Sequence, residues 1–278
     1  LELGCNYFDT ADVYGFGHSE ALLGKALKNK RDRAIIATKV GSDFYQGGGF
    51  QTFTPDYIRF ALEKSLDRLQ TDYVDVYQLH NPPLRLLKKE STYTILQDLK
   101  REGKIRAWGL SVFDPIEGLT ALGVAQPDCL QITFNIFNSR PGENLLPSAY
   151  AAGCAIIARE PLANGFLTSK FKPGSETEFN DASFEEGDIR QSWPLDYVLA
   201  RIEASQRLDF LHVSEKRTLA QAAIKYVLSM KEVSVTIPGT KTPRQAEENF
   251  AVSAMKPLSQ PELNEISTLA KRNFDIPA

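Results

Sequence analysis

The sequence predicts an α/β protein: a parallel sheet, open or closed on itself, with helices between its strands. Three observations predict it. Short apolar runs alternate with longer amphipathic ones from end to end. The short runs are apolar or β-branched on both faces, as parallel strands covered by helices must be. Most are spaced by roughly 25–40 residues, the length of one strand plus one helix. The chain has 278 residues, 42% of them hydrophobic. That length suits one large domain over residues 1–278, with a core that needs no disulfide or metal staple.

In chain order the strands are expected at Asn6–Asp9, Ala34–Val40, Val74–Leu79, Ile105–Val112, Cys129–Asn135, Ala155–Arg159 and Val233–Pro238. Seven are counted. Helices fill the gaps. Thr54-Pro55 supplies an N-cap and a first-turn proline, after which Ile58, Ala61, Leu62, Ser65, Leu66 and Leu69 mark one face. Asp114-Pro115, Thr218, Thr242-Pro243 and Ser259 open further helices, and Thr242 with Gln245 and Ser259 with Glu262 have capping-box spacing. Leu1–Leu3 before Gly4 reads as the last turn of a helix with a glycine stop. A polar segment, residues 162–193, follows a strand's C-terminal end, where a lid over a barrel's active site belongs. A mobile surface insertion is the plainer reading.

The charge balance, 32 basic against 35 acidic residues, argues against nucleic acid or an anionic membrane as partner. No apolar run reaches the roughly 18–20 residues of a membrane span, and the opening residues have no signal-peptide pattern. Cys5, Cys129 and Cys154 are read as reduced core thiols of a cytoplasmic protein. His18, His80 and His212 are scattered, with no metal-ligand spacing. Gly15-Phe16-Gly17-His18-Ser19-Glu20 begins like a dinucleotide-binding glycine motif but has Glu20 at the third glycine, and Lys39 stands near the position of the expected acidic residue.

The polar residues at strand ends carry the chemistry. The first strand ends in Asp9 and runs on to Tyr14, the second holds Lys39 near its C-terminal end, and the third is followed at once by His80-Asn81-Pro82-Pro83. In a parallel barrel these ends converge on one rim. A buried ammonium needs a counter-charge, which Asp9 supplies. An ammonium and an imidazole beside a phenol make a tuned proton donor for a carbonyl oxygen that gains charge as hydride arrives. Taken singly, each residue also suits a plainer role: Asp9 as a turn cap, Lys39 as a solvated rim lysine, His80 as a satisfied core histidine, Tyr14 as a surface aromatic.

The segment Asn6-Tyr7-Phe8-Asp9-Thr10-Ala11-Asp12-Val13-Tyr14-Gly15 closely resembles the signature of the aldo-keto reductase superfamily, and Ala37-Thr38-Lys39 and Gln78-Leu79-His80-Asn81-Pro82-Pro83 resemble its next two motifs. The resemblance implies a (β/α)8 TIM barrel and a tetrad of Asp9, Tyr14, Lys39 and His80. In it Tyr14 is the general acid in reduction, Lys39 paired with Asp9 tunes its acidity, and His80 orients the carbonyl. It implies NADPH, bound extended across the barrel mouth. Gly109-Leu110-Ser111 resembles a segment whose serine binds the nicotinamide amide, with Val112 where asparagine is common, and Gln131 resembles the glutamine on the same amide. Pro161, Leu162, Gly165 and Leu167 lie in the counterpart of the pyrophosphate loop. Gly239, Thr240, Lys241, Gln245, Glu248 and Asn249 match the adenosine end. Lys241 and Arg244 at a capped helix start add charge suited to a 2′-phosphate. Against the family pattern, the first β/α unit is expected to be missing or largely missing from this sequence.

The leading expectation is therefore a hydride-transfer enzyme acting on a small-molecule aldehyde or ketone. Phe44, Tyr45, Phe50 and Phe53, with Trp193, are candidates for the walls of an apolar substrate pocket. A second expectation is a cofactor-binding partner module of the same fold with little turnover, as the β-subunits of voltage-gated potassium channels resemble. A third is a Schiff-base aldolase using Lys39. The sequence leaves the physiological substrate and the oligomeric state open.

Overall fold

Runs such as Ile35–Val40 and Val74–His80 have no polar face long enough for an amphipathic helix, and their β-branched and aromatic residues favour extended backbone. A computed structural model describes residues 1–45, 50–168, 171 and 192–276. These form two compact units. Unit 1 comprises Leu1–Thr133, Arg140–Arg159 and Glu232–Ile237; unit 2 comprises Phe134–Ser139, Glu160–Lys231 and Pro238–Ala278.

Unit 1 holds β1 (Tyr7–Asp9), β2 (Ile35–Val40), β3 (Ser42–Asp43), β4 (Phe50–Gln51), β5 (Val74–His80), β6 (Ile105–Ser111), β7 (Cys129–Thr133), β8 (Ala155–Arg159) and β9 (Val233–Ile237). Seven of these make one sheet in the order β1-β2-β5-β6-β7-β8-β9, and every pairing in it is parallel. This is the sheet of a (β/α)8 barrel, represented by seven strands. All seven expected strands are present, each within two residues of its predicted bounds. The pair β3–β4 is a short antiparallel hairpin in the loop after β2, which the reading of the sequence did not anticipate.

The helices of unit 1 are α1 (His18–Ala26), α2 (Pro55–Leu69), α3 (Leu84–Leu87), α4 (Ser91–Arg101), α5 (Pro115–Ala125) and α6 (Leu145–Ala151). α2 starts where Thr54 accepts a hydrogen bond from Tyr57 N, and it buries the six predicted residues together with Tyr57. α5 opens with a full capping box, Asp114 with Glu117. Gly109 on β6 is required by close approach: a methyl group there would overlap the carbonyl oxygen and sulfur of Cys129 on β7. At the N-terminal end of the strands, Asp75 accepts from Ile36 N at 2.9 Å and pairs with Arg31 at 2.7 Å. That end carries structural bonds, leaving chemistry to the opposite rim.

In unit 2 the helices are α7 (Leu195–Gln206), α8 (Leu219–Leu228), α9 (Pro243–Ala251) and α10 (Gln260–Lys271). Thr218, Thr242 and Ser259 each cap their helix through a complete capping box, with Gln221, Gln245 and Glu262. Its core gathers Phe166, Phe171, Val198 and Ile202, with Phe137 and Trp193 packed alongside. Arg217 pairs with Glu262, which ties the start of α8 to the start of α10.

The expectation of three core thiols needs correction. Cys129 and Cys154 are buried, but Cys5 is partly exposed, because it sits in the turn before β1. Burial pushes the Cys154 thiol up to about 12 and the Cys129 thiol higher still, so neither is a nucleophile. Gly4 does take the left-handed conformation of a helix stop, with φ of +86°. The proposed lid, residues 162–193, lies mostly outside the described residues. No helix among the described residues is long and apolar enough to cross a membrane.

Candidate active site

Side chains two apart on a strand share a face, and register stacks them across the sheet. Lys39 stands opposite Gln78, Gln78 opposite Gly109, His80 opposite Ser111 and Ser111 opposite Gln131. The interior near the C-terminal ends of β2, β5, β6 and β7 therefore carries a cluster of polar side chains.

Lys39 is fully buried. Its ammonium has three N–H donors, and each has an acceptor: the Asp9 carboxylate, with which it forms a salt bridge, the Thr10 carbonyl at 2.8 Å and the Tyr14 hydroxyl at 3.5 Å. Lys39 Nζ also lies 4.9 Å from the centre of the Tyr14 ring. His80 meets Tyr14 edge-on, with ring centroids 5.8 Å apart and planes at 80°. The structure thus brings Asp9, Tyr14, Lys39 and His80 together. Tyr14 is 43% exposed, so its hydroxyl stands between a buried cation and open space.

His80 is held neutral: burial, then the charges of Lys39 and Arg159, push its pKa down to about 4. A neutral imidazole offers one N–H and one lone pair. His80 Nδ1 and Asn81 Oδ1 are both buried without a hydrogen-bond partner among the described residues. Asn81 takes a left-handed φ of 54°, which turns the chain at the rim immediately after β5.

The Tyr14 loop is anchored from behind. Its turns are closed by Tyr14 N to Ala11 O at 3.1 Å, Phe16 N to Val13 O at 3.0 Å and Ser19 N to Tyr14 O at 3.2 Å. Thr10 Oγ1 donates to Ser19 Oγ at 2.8 Å. Glu20, fully buried, accepts from Thr38 Oγ1 at 2.5 Å and from Arg68 Nε at 2.7 Å. Gly17 has φ +91°, and a Cβ there would lie 2.7 Å from Arg68 Cδ, so the loop backbone rests on the arginine's methylenes. Asp12, also fully buried, has no side-chain donor on either oxygen. Burial, with the Glu20 carboxylate beside it, pushes its pKa up to about 7. This ion network was not read from the sequence. The available signal was Glu20 together with a basic residue, Arg68, on the flank of the buried face of α2.

Among the remaining predicted residues, Ser111 and Gln131 are 1% exposed. Gln131 Nε2 donates to Asp9 Oδ2 at 2.7 Å. Val112, in place of the expected asparagine, is buried, and its carbonyl accepts from Arg159 Nη2 at 3.4 Å. Phe44 stacks on Tyr45 at 4.2 Å and lies 5.8 Å from Phe16. The Tyr45 hydroxyl accepts from Arg68 at 2.8 Å, which ties it into the Glu20 network. Phe50 is 76% exposed, and Phe53 packs on Gly41.

In unit 2, Pro161 and Leu167 are buried and Leu162 and Gly165 half-buried, in a segment where Ala163, Asn164 and Gly165 all have positive φ. Trp193 stacks on Phe166 at 5.6 Å and meets Tyr197 edge-on, so its ring serves packing in this unit. Asn249 Nδ2 donates to Thr240 Oγ1 at 3.1 Å. Gln245 Oε1 accepts from Lys241 N at 2.7 Å within the capping box. Glu248 is turned towards Thr218, whose hydroxyl donates to it at 2.7 Å. Gly239 has open space where a side chain would stand.

A parallel barrel with a phenol, an ammonium, a carboxylate and an imidazole crowded at the C-terminal ends of β1, β2 and β5 defines an oxidoreductase. The family model described as Aldo/keto reductase family matches residues 1–271, and the chain belongs to that family. The uncharacterized oxidoreductase YqkF of Bacillus subtilis is 30% identical over 277 residues, 99% of this chain and 86% of that protein. The aldo-keto reductase yakc [NADP(+)] of Schizosaccharomyces pombe is 29% identical over 278 residues, 95% of this chain and 78% of that protein. Among solved structures, the holo form of aldo-keto reductase AKR11C1 from Bacillus halodurans superposes with a TM-score of 0.79 at 31% identity, covering 97% of this chain and 84% of that one.

Proposed function

We propose that this protein is an NADPH-dependent carbonyl reductase in which Tyr14 protonates the carbonyl oxygen of an aldehyde or ketone, and that residues 1–278 act as one catalytic domain. The observation that carries the reading is what surrounds the Tyr14 phenol: the Lys39 ammonium 3.5 Å from its hydroxyl and neutralised behind by Asp9, and the His80 ring edge-on to the Tyr14 ring with centroids 5.8 Å apart. The name of the fission yeast relative supports NADP(+) as cofactor.

The residues present fit that cofactor. Ser111 and Gln131 are buried polar groups beside His80 in register, suited to a carboxamide. Gly239, the Thr242-capped start of α9 and the exposed cations Lys241 and Arg244 suit the phosphates of the adenosine end, with Gln245, Glu248 and Asn249 following on the same helix. Pro161, Leu162, Gly165 and Leu167 are assigned to the pyrophosphate. When bound, NADPH supplies the hydride. Tyr14 then delivers a proton to the oxygen as charge develops there. Lys39 stabilises the phenolate left behind, and Asp9 keeps the ammonium from being an isolated buried charge. Neutral His80 donates an N–H to the carbonyl oxygen, fixing the angle of approach. The apolar walls are assigned to Phe44 and its neighbours. The Lys39 ammonium is held by the Asp9 carboxylate and the Thr10 carbonyl, which does not favour the Schiff-base reading. The partner-module reading is not favoured, because the tetrad is intact and its relatives are named as oxidoreductases. The setting proposed is the cytoplasm, with a small carbonyl compound as substrate.

The test is a fluorescence titration with NADPH and NADH, followed by turnover with a panel of aldehydes and ketones. NADPH is expected to bind more tightly and to support reduction. Removing the charge of Lys241 is expected to weaken NADPH more than NADH. Failure of both cofactors to bind would end the reading, and equal effects on the two would place the 2′-phosphate elsewhere.

A further inference from the structure

Gln78 is fully buried on β5, two residues before His80 and on the same face. Its amide is loosely held: Nε2 lies 3.5 Å from Asp9 Oδ2, and Oε1 accepts from Gln131 Nε2 at 3.4 Å. Hydrogen bonds of that length are weak, and a buried side-chain amide without good partners is a cost to the fold. Next to it the tight bond to the same carboxylate oxygen, 2.7 Å, comes from Gln131. Gln131 is the residue assigned above to the nicotinamide carboxamide. If it turns to the cofactor, Asp9 Oδ2 loses its close donor while still inside the sheet, and the Asp9–Lys39 pair behind Tyr14 is left undersolvated.

We propose that Gln78 is a positioning residue that replaces Gln131 as the hydrogen-bond donor to Asp9 when the nicotinamide ring docks. The inference rests on the carboxamide role of Gln131. In the ligand-free arrangement Gln131 holds Asp9 and Gln78 waits beside both. On docking, Gln131 rotates away, the Gln78 amide closes its 3.5 Å gap, and the carboxylate that neutralises Lys39 never lacks a donor. The loose geometry of Gln78 is then the mark of a group whose tight partner belongs to the other state.

Calorimetric titration of the ligand-free protein tests this with two ligands: NADPH, and adenosine 2′,5′-bisphosphate, which lacks the nicotinamide ring. Gln78→Leu is expected to weaken NADPH by about tenfold, the value of one hydrogen bond to a charged group, and to leave the bisphosphate unchanged. Gln131→Leu is expected to weaken NADPH as well, and adding Gln78→Leu to it to cost nothing more, since Gln78 has no exchange left to serve. Gln78→Met, which keeps the length but not the donor, gives the same readout should the leucine variant fold poorly. NADPH affinity unaffected by Gln78→Leu, equal losses for both ligands, or losses that add independently to those of Gln131→Leu would overturn the inference while leaving the cofactor reading intact. A wild-type protein that binds NADPH no more tightly than the bisphosphate would overturn the cofactor reading itself.

Discussion

Asp12→Asn is expected to stabilise the protein at neutral and alkaline pH and to weaken it at acid pH. The Asp12 carboxyl is wholly inaccessible, and neither oxygen meets a side-chain donor. Burial and the neighbouring Glu20 carboxylate raise its pKa from 3.8 to about 7, with the Val13 backbone and the charges of Arg68 and Lys39 offsetting only part of the effect. At about 1.4 kcal/mol per pH unit, that difference corresponds to about 4 kcal/mol of folding free energy. The sign follows from proton binding. Between pH 3.8 and about 7 the folded chain holds a proton at Asp12 that the unfolded chain has released, so stability falls as pH rises through this window. Asparagine is neutral throughout and avoids that loss, less the cost of placing its amide N–H groups, about 1–3 kcal/mol if they find no acceptor. The net gain expected at pH 8 is therefore about 1–3 kcal/mol, read as a higher melting temperature. At pH 4 the two proteins should differ by the amide cost alone, with the variant the weaker. A variant that is destabilised equally at pH 4 and pH 8 would show that Asp12 is ionised and well partnered in the fold, and the reasoning from its isolation would fail.

Two further outcomes follow from the packing around the site. Arg68→Ala removes the guanidinium that pairs with fully buried Glu20 at 2.6 Å, and breaking a buried pair from one side costs about 3–5 kcal/mol. Thermal unfolding checks it, and a loss under about 1 kcal/mol would mean that Thr38 alone satisfies Glu20. Gly109→Ala sets a methyl group against the Cys129 carbonyl and sulfur on the next strand. The β6–β7 pair must then part, at about 1–3 kcal/mol, and Ser111 moves with it. Denaturant unfolding together with NADPH titration checks both effects, and an unchanged protein would mean that the strands shift there at little cost.

The strands and the tetrad were legible because both depend on local pattern. A run such as Val74–His80 is apolar on two faces whatever surrounds it, and Asp9, Lys39 and His80 fall at strand ends that a parallel sheet sends to one rim. The helix starts were legible for the same reason: Thr242 with Gln245 and Ser259 with Glu262 cap within four residues. The rest depended on contacts remote in sequence. Glu20 meets Arg68 across 48 positions and Gln131 meets Asp9 across 122, and no spacing rule pairs them. Gln78 did carry a signal, being a polar residue two before His80 on the same face of β5. The β3–β4 hairpin, with two residues in each strand, is too short to show alternation. Cys5 was misplaced because, unlike Cys129 and Cys154, it stands in the turn before a strand and not in or beside an apolar run.

In the proposed reaction the Tyr14 hydroxyl gives the proton that accompanies hydride transfer. The most direct measurement is single-turnover oxidation of bound NADPH by a reactive aldehyde, wild type against Tyr14→Phe, with NADPH affinity measured on the same samples. Unchanged cofactor binding is expected, with a chemical step slowed by about a hundred- to ten-thousand-fold. A phenylalanine variant that turns over at close to the wild-type rate would contradict it.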